Sequence, residues 1–223
     1  MLLKRRHFIT GAAAMAATPA LAQLPPVPPP YVRGANNDPA EPGPLADGAV
    51  RVKLATPEGD IYVDLRPAQA PITAGNFLRY TDTKRMDGAE FYRATHPPGA
   101  NDYGVVQGGL QNDPAKLLKP IAHEPTTKTG LSHTDGMVSM GRHAPGSATA
   151  DFFIMIGDNS YLDANPKAAG DNKGFAAFGR VVEGMDVVRK ILMLPRSPTA
   201  GVGVMKGEML KKPIPIVTAR RTK

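Results

Sequence analysis

The stretch that decides the fold runs from Val50 to Leu65 and reads VRVKLATPEGDIYVDL. Apolar residues hold every second position on both sides of a central TPEGD. This period of two is typical of β-strands that bury one face. Pro57 and Gly59 in the centre favour a turn. The stretch therefore predicts a β-hairpin.

Short apolar runs continue along the chain, each bounded by Gly, Pro, Asn or Asp. Such spacing is typical of short strands joined by turns. A last strand is predicted at Ile214–Val217, where Pro215 has to lie at an edge or a bulge because it cannot donate a ladder hydrogen bond. The other runs are Phe91–Thr95, Val105–Gln107, Met137–Met140, Phe152–Ile156 and Phe175–Val182.

Two segments predict helices. Pro71 suits a first helical turn, where its missing N–H costs nothing. The second helix is predicted at Glu183–Leu192, with apolar residues on one face and Pro195 after its end. Many short strands with two helices predict a mainly β fold, an antiparallel barrel whose helices cover the ends.

The first 22 residues have the order of an export signal, with a charged, an apolar and a small-residue region. Lys4-Arg5-Arg6 precedes an Ala-rich segment, and Ala20-Leu21-Ala22 predicts cleavage before Gln23. The pair Arg5-Arg6 is similar to a twin-arginine signal, and an ordinary secretory signal is the alternative. The sequence predicts a periplasmic or otherwise exported bacterial protein.

Composition also sets the expected boundaries. Residues 23–48 are Pro-rich and predict a flexible linker, residues 49–219 predict one domain, and residues 220–223 predict a solvated basic tail. The formal charge of +7 falls to +4 when Lys4, Arg5 and Arg6 leave with the signal, which is too mild to indicate nucleic-acid binding. No apolar run is long enough to span a bilayer, so no stable membrane insertion is expected after cleavage. A monomer is expected.

Arg93 and Gln107 are the candidate catalytic residues. With Asp151–Met155 they place a cation, an amide and several aromatic rings on predicted strands. A proline in a peptide presents an apolar ring flanked by amides. A permanently charged Arg can donate to an amide that is twisted out of conjugation. This set indicates non-covalent chemistry on a proline peptide bond.

Other chemistries find little support in the sequence. There is no Cys, which excludes disulfides, a lipid-modified cysteine and a thiol nucleophile. Ser132-His133 lacks a nucleophile-elbow motif, so a hydrolase is not expected. Neither a metal site nor a cofactor is expected, because the histidines lack ligand spacing: His96, His123, His133 and His143.

The chain resembles the cyclophilins, a family of peptidyl-prolyl isomerases, over about residues 49–219. This resemblance implies a closed eight-stranded antiparallel barrel with two capping helices and a proline-binding groove on its outer surface. It assigns catalysis to Arg93, supported by Gln107. The motifs that carry it, in order, are Ala70–Phe77, Phe91–Arg93, Gln107–Gly109, Ser139–Met140, Phe152–Ile154, Tyr161–Asp163 and Phe178–Val188.

The expected groove lining follows from the same motifs. Phe153 and Leu162 are expected as floor and wall of the proline pocket, with Tyr161 at the rim. Phe152 alternates with Phe153 and should point into the core. The full set of expected substrate-binding residues is Phe91, Val105, Met140, Asp151, Phe153, Tyr161, Leu162 and Phe175.

Three positions depart from the family pattern. Phe175 stands at a groove position that often holds His. Gly104 stands where an aromatic residue is usual, and its lack of a side chain is expected to open the pocket. Asp151 stands where Gln is usual. A carboxylate near the groove is expected to attract Arg93 and to compete with the substrate for it.

Two functions remain open at this point. The first is an exported prolyl isomerase that acts on Pro-containing polypeptides and assists their folding. The second is a cyclophilin-like binding module or holdase that grips Pro-containing segments with little turnover. Arg93 and Gln107 favour the isomerase, while Gly104 and Asp151 favour the binding module.

Overall fold

The computed structural model describes residues 45–222. The predicted signal peptide, its cleavage site and nearly all of the Pro-rich linker lie outside these residues. Their assignment therefore stays a prediction from the sequence.

Nine antiparallel strands form one sheet that curls into a nearly closed barrel. The order across the sheet is β8-β3-β4-β6-β5-β7-β2-β1-β9. The predicted hairpin is confirmed, since β1 and β2 pair along their whole length around Pro57 and Glu58. The strands are β1 (Val50–Thr56), β2 (Gly59–Leu65), β3 (Ala89–Thr95), β4 (Gly104–Gly109), β5 (Met137–Met140), β6 (Phe152–Ile156), β7 (Ala176–Glu183), β8 (Met209–Ile216) and β9 (Thr218–Arg221).

The two edge strands of the sheet, β8 and β9, are consecutive in the chain and are separated only by Val217. β8 pairs with β3 at one end of the strand order, and β9 pairs with β1 at the other. The Val217 N–H donates to the carbonyl oxygen of Ala55 at 2.8 Å. The expected eight strands become nine because this final segment changes partner at Val217. Pro215 lies in β8, at one end of the strand order.

Between residues 45 and 222, three helices accompany the barrel: α1 (Pro71–Asp82), α2 (Thr126–Thr129) and α3 (Met185–Leu192). α1 begins at Pro71 as predicted. α3 begins two residues later than predicted, because Gly184 before it has φ 86°, outside the range of an α-helix. Short 3₁₀ turns at Ser160–Leu162 and Gly203–Met205 complete the elements.

The main core lies inside the barrel and is organised around aromatic rings. The Phe77 ring on α1 lies 5.4 Å from the Phe152 ring and 5.3 Å from the Phe178 ring. Phe152 is fully buried, which confirms its predicted inward orientation. α1 thus closes one end of the barrel by packing on strands β6 and β7.

The predicted basic tail is instead largely part of the barrel. Arg220 and Arg221 belong to β9, and their backbones pair with β1. Their guanidinium groups form ion pairs with Asp87 and Asp82, each at 2.6 Å. Local sequence could not reveal these partners, because both acids lie more than 130 residues earlier in the chain.

Candidate functional site

Five residues form a row across five neighbouring strands. The register pairs Arg93 of β3 with Gln107 of β4, and Gln107 with Phe153 of β6. It continues from Phe153 to Ser139 of β5, and from Ser139 to Ala177 of β7. Phe153 and Ala177 belong to an apolar cluster separate from the main core. Opposed residues of antiparallel strands lie about 4.5–5.5 Å apart, so the register brings the cation, the amide and the ring together.

Arg93 is held on two sides. Its Nε and Nη2 donate to one oxygen of Glu208, at 2.8 and 2.6 Å. Its Nη1 donates to Oε1 of Gln107 at 2.6 Å. The Arg93 side chain is 19% exposed and that of Glu208 is 22% exposed, so both reach solvent while most of each is covered. The guanidinium therefore sits at the surface in one fixed orientation.

Gln107 links Arg93 to Tyr92 through hydrogen bonds. Its Nε2 donates to the Tyr92 hydroxyl at 2.7 Å. Burial, and next the nearby charge of Asp151, raise the pKa of Tyr92 well above its ordinary value, so this phenol stays protonated. Burial also raises the pKa of Asp151, while backbone N–H groups of Leu110 and Gln111 and the Tyr92 hydroxyl act against that shift.

The Phe153 ring lies in the smaller apolar cluster, two strands from Arg93 in the strand order. Phe175 meets it edge to face, with the ring centres 5.2 Å apart. Leu162 packs against the same cluster and Val105 belongs to it. The guanidinium of Arg142 lies over the Phe175 ring, 4.9 Å from its centre, and stabilises its position. The structure thus brings four of the expected residues together: Phe153, Leu162, Phe175 and Val105.

A buried polar network lies next to the Phe153 ring. His133 is fully buried, and its ring stacks on that of Phe153 at 12° and 6.3 Å. Its Nδ1 bonds to Asp163, and its Nε2 lies 2.9 Å from the Ser139 hydroxyl. Asp163 also accepts from the Ser132 hydroxyl and from the His133 backbone N–H.

The contacts of the imidazole fit its neutral form. With Nδ1–H donating to the Asp163 carboxylate, Nε2 can accept from the Ser139 hydroxyl. Burial lowers the pKa of His133, and Asp163 opposes that shift only in part. Ser139, His133 and Asp163 are in triad order, but Ser139 has no exposed surface. The network therefore positions Phe153 and the loop that carries Leu162.

Two expected lining residues lie elsewhere. Phe91 is fully buried in the main core, 5.8 Å from the Phe152 ring. A bulge between Phe91 and Arg93 breaks the strand alternation, so these two residues do not share a face. Met140 is also buried in the main core, opposite Phe152. Regular alternation along β5 accounts for this, since Ser139 pairs with Phe153 and the next residue therefore points the other way.

Gly104 is not a gap in the pocket wall. A Cβ at this position would collide with the carbonyl oxygen of Thr95 and lie 3.0 Å from the Leu192 side chain on α3. The rim instead carries two phenols. Tyr161 is 56% exposed, as expected of a rim residue. Burial, with the Tyr161 hydroxyl beside it, raises the pKa of Tyr103 to about 12.

The partner of Arg93 differs from the expected one. The sequence analysis assigned the competing carboxylate to Asp151, whereas Arg93 bonds to Glu208. Asp151 accepts from the backbone N–H of Gln111 at 3.0 Å and lies on the Tyr92 side of Gln107. Glu208 and His133 are the site residues that sequence reasoning missed. No local signal marks either of them.

Within residues 45–222, no group of three or more His, Cys, Asp or Glu side chains is placed to hold a metal ion. No helix in this range has both the length and the apolar character needed to cross a bilayer.

Comparison with known proteins bears directly on this geometry. A family profile described as cyclophilin type peptidyl-prolyl cis-trans isomerase/CLD matches residues 50–220. A peptidyl-prolyl cis-trans isomerase of Acinetobacter baylyi is 34% identical over 172 residues, which cover 76% of this chain and 84% of the relative. Peptidyl-prolyl cis-trans isomerase B of Escherichia coli is 34% identical over 143 residues, covering 63% of this chain and 82% of the relative.

The fold agrees with solved structures. A cyclophilin type peptidyl-prolyl cis-trans isomerase of Cryptosporidium parvum superposes with a TM-score of 0.58 and 17% identity, over 78% of this chain and 98% of that one. The barrel, the profile match over nearly all described residues and the relatives agree. This chain belongs to the cyclophilin family and is a peptidyl-prolyl cis-trans isomerase, acting on proline-containing polypeptides.

Proposed function

We propose that this isomerase assists the folding of exported polypeptides in the periplasm, and that Arg93 acts on the twisted amide while Gln107 holds the substrate backbone. The observation that carries the site is the register Arg93–Gln107–Phe153. The cation and the amide lie on strands that lead to the apolar cluster around Phe153, which supports this assignment. These are the groups that a proline ring and its flanking peptide bonds require.

The chemistry needs no covalent intermediate. Resonance imposes a barrier of about 18–20 kcal/mol on rotation of a peptide bond. A catalyst lowers this barrier when it binds the twisted amide better than either planar form. As the amide twists, its nitrogen becomes more basic and accepts a hydrogen bond. The Phe153 and Phe175 rings hold the proline ring, and Arg93 donates to the nitrogen or to the neighbouring carbonyl oxygen.

The hydrogen bonds of Gln107 define which of its groups serves the substrate. Its carbonyl oxygen already accepts from Arg93, and one of its N–H groups donates to Tyr92. A side-chain amide has two N–H groups, so one is left over. We assign this remaining N–H to a substrate carbonyl oxygen. In this way Gln107 both holds Arg93 and orients the peptide.

The periplasmic role rests on the sequence of the first 22 residues, with its charged, apolar and small-residue regions. A folding catalyst for exported chains needs only a groove that accepts proline in many contexts. The apolar cluster around Phe153 and the surface-accessible Arg93 are consistent with that breadth.

A protease-free isomerisation assay on a Pro-containing peptide tests the site. We expect Arg93→Ala to lose most turnover while keeping its fold. Arg221→Ala is the matched control, because Arg221 also pairs with a carboxylate at 2.6 Å but lies on β9. Equal turnover of the two variants would contradict the assignment. Peptide binding by the wild type without turnover would instead indicate the holdase.

A further inference from the structure

Glu208 accepts two hydrogen bonds from the Arg93 side chain, whereas Gln107 accepts one. Its Oε2 accepts from both Nε and Nη2 of Arg93. Its Oε1 accepts from the Thr95 hydroxyl at 2.6 Å. Both carboxylate oxygens are therefore committed, one to the guanidinium and the other to a second residue of β3.

The backbone of Glu208 is fixed as well. Its carbonyl oxygen accepts from the Ala94 N–H at 3.0 Å, which extends the pairing of β8 with β3 by one residue. Its own N–H donates to the carbonyl oxygen of Met205 at 3.1 Å. The carboxylate is thus attached to the barrel at its main chain and at Thr95. It differs from a surface counter-ion, which would have no fixed position.

The geometry determines how many donors Arg93 can offer. A guanidinium has five N–H groups in a planar fork. Glu208 takes two of them and Gln107 takes one. Two remain, one on Nη1 and one on Nη2. Because Glu208 holds the Nε edge, the guanidinium plane is fixed, and the directions of these two donors are fixed with it.

We propose that Glu208 is a positioning residue that sets the direction of the Arg93 donors in the isomerase reaction. This proposal rests on the role assigned to Arg93 under the proposed function. Donors that already point at the developing charge need no reorganisation when the amide twists. Without Glu208 the long Arg93 side chain has several rotamers, and only a fraction of molecules present the fork to the substrate. The loss therefore falls on turnover and leaves peptide binding largely unchanged.

The experiment compares Glu208→Ala, Glu208→Met and Glu208→Gln in the protease-free assay. Ala and Met remove the acceptor, and Met keeps the bulk of the side chain in case the alanine variant does not fold. We expect both to lower kcat about tenfold with KM changed less than about twofold. Gln keeps an acceptor oxygen for Arg93, so it should retain most of the activity. Asp82→Ala is the control, since it breaks the Arg221 pair of the same length far from the groove.

Two further measurements separate positioning from general damage. In an Arg93→Ala background, adding Glu208→Met should change kcat no further, because Glu208 acts only through Arg93. The Arg93 Nε–H signal in ¹⁵N NMR, assigned by its absence in Arg93→Lys, should shift in Glu208→Met and stay in Glu208→Gln.

The outcomes distinguish the two proposals. Unchanged kcat in Glu208→Met overturns the positioning role while Arg93 keeps its assignment. The same is true if Glu208→Met lowers kcat equally with and without Arg93, or if Glu208→Gln fails as badly as Glu208→Met. If Arg93→Ala itself remains fully active, the proposed function fails, and this is seen before any Glu208 variant is compared.

Discussion

The guanidinium of Arg93 lies 2.6 Å from the carboxylate of Glu208, a residue 115 positions later in the chain. This pair begins a sequence of hydrogen bonds that continues through Gln107 to Tyr92. Arg93 can only donate and the carboxylate can only accept, which sets the direction of their bonds. Because Arg93 only donates, the Gln107 oxygen faces Arg93, and the Gln107 NH₂ group faces Tyr92.

Replacing Arg93 by Lys should restore little of the activity that Arg93→Ala loses. An ammonium is a point charge without the planar fork, so it cannot bond to Glu208 and Gln107 and still offer two donors to the substrate. We expect kcat/KM to fall about 100-fold, as when one preorganised donor is removed from other active sites. The isomerisation assay measures this. Activity within a factor of three of the wild type would mean that charge alone suffices.

Replacing Phe153 by Leu should raise KM for a proline peptide. The ring contacts with Phe175 and His133 are lost, and aromatic packing of this kind is worth about 0.5–1.5 kcal/mol, or roughly 2- to 13-fold in affinity. Phe178→Leu is the control, because Phe178 is also buried but lies in the main core. Both variants should melt at a lower temperature. A rise in KM in both would show that the effect reflects general loosening.

His133 should make stability depend on pH. Its folded pKa lies below the unfolded value near 6.5, so at pH values between the two the unfolded state binds the extra proton. Unfolding then becomes easier as pH falls below about 6.5, and stability is recovered as pH rises. The slope from one group is at most about 1.4 kcal/mol per pH unit.

Denaturant melts from pH 7 to pH 5 measure the His133 contribution. His133→Asn should be less stable at pH 7, and its pH slope should be smaller by up to that amount. His143→Asn, at an exposed position, should keep the wild-type slope. An unchanged slope in His133→Asn would assign the pH dependence to other groups.

Asp151→Asn should stabilise the protein at neutral pH. Burial raises the pKa of this carboxyl, so its charged form is less favourable in the folded state than in the unfolded one. That penalty is present above the folded pKa and absent at low pH, where the carboxyl is protonated. The melting temperature of the variant should exceed that of the wild type at pH 7, and the difference should shrink towards pH 4. A variant that is less stable at pH 7 would show that the hydrogen bonds of Asp151 outweigh its burial.

Export should depend on the first residues of the chain. We expect cleavage after Ala22, so that the mature protein begins at Gln23. Replacing Arg5-Arg6 by Lys-Lys should retain the protein in the cytoplasm if the twin-arginine route is used. Cell fractionation and N-terminal sequencing measure both points. A normal periplasmic yield from the Lys-Lys variant would assign the general secretory route.

The sequence by itself determined the elements whose signals are local. The alternation in Val50–Leu65 fixes a hairpin, since the burial of one strand face needs only neighbouring residues. Pro71 marks the start of α1 for the same kind of reason. Arg93, Gln107 and Phe153 each lie on a strand, as the short apolar runs that contain them predict.

The tertiary structure alone decided the partners of those residues. Glu208 reaches Arg93 because β8 pairs with β3, and no periodicity encodes which strands pair. Phe91 lies on the other face from Arg93 because a bulge adds one residue to β3 between them. Met140 points into the main core because it alternates with Ser139, whose partner across the sheet is Phe153. Asp163 lies 30 residues after His133, and only the fold brings the two side chains into contact. This contact makes His133 part of the site. A side chain's neighbours depend on register and strand order, which the whole barrel sets together.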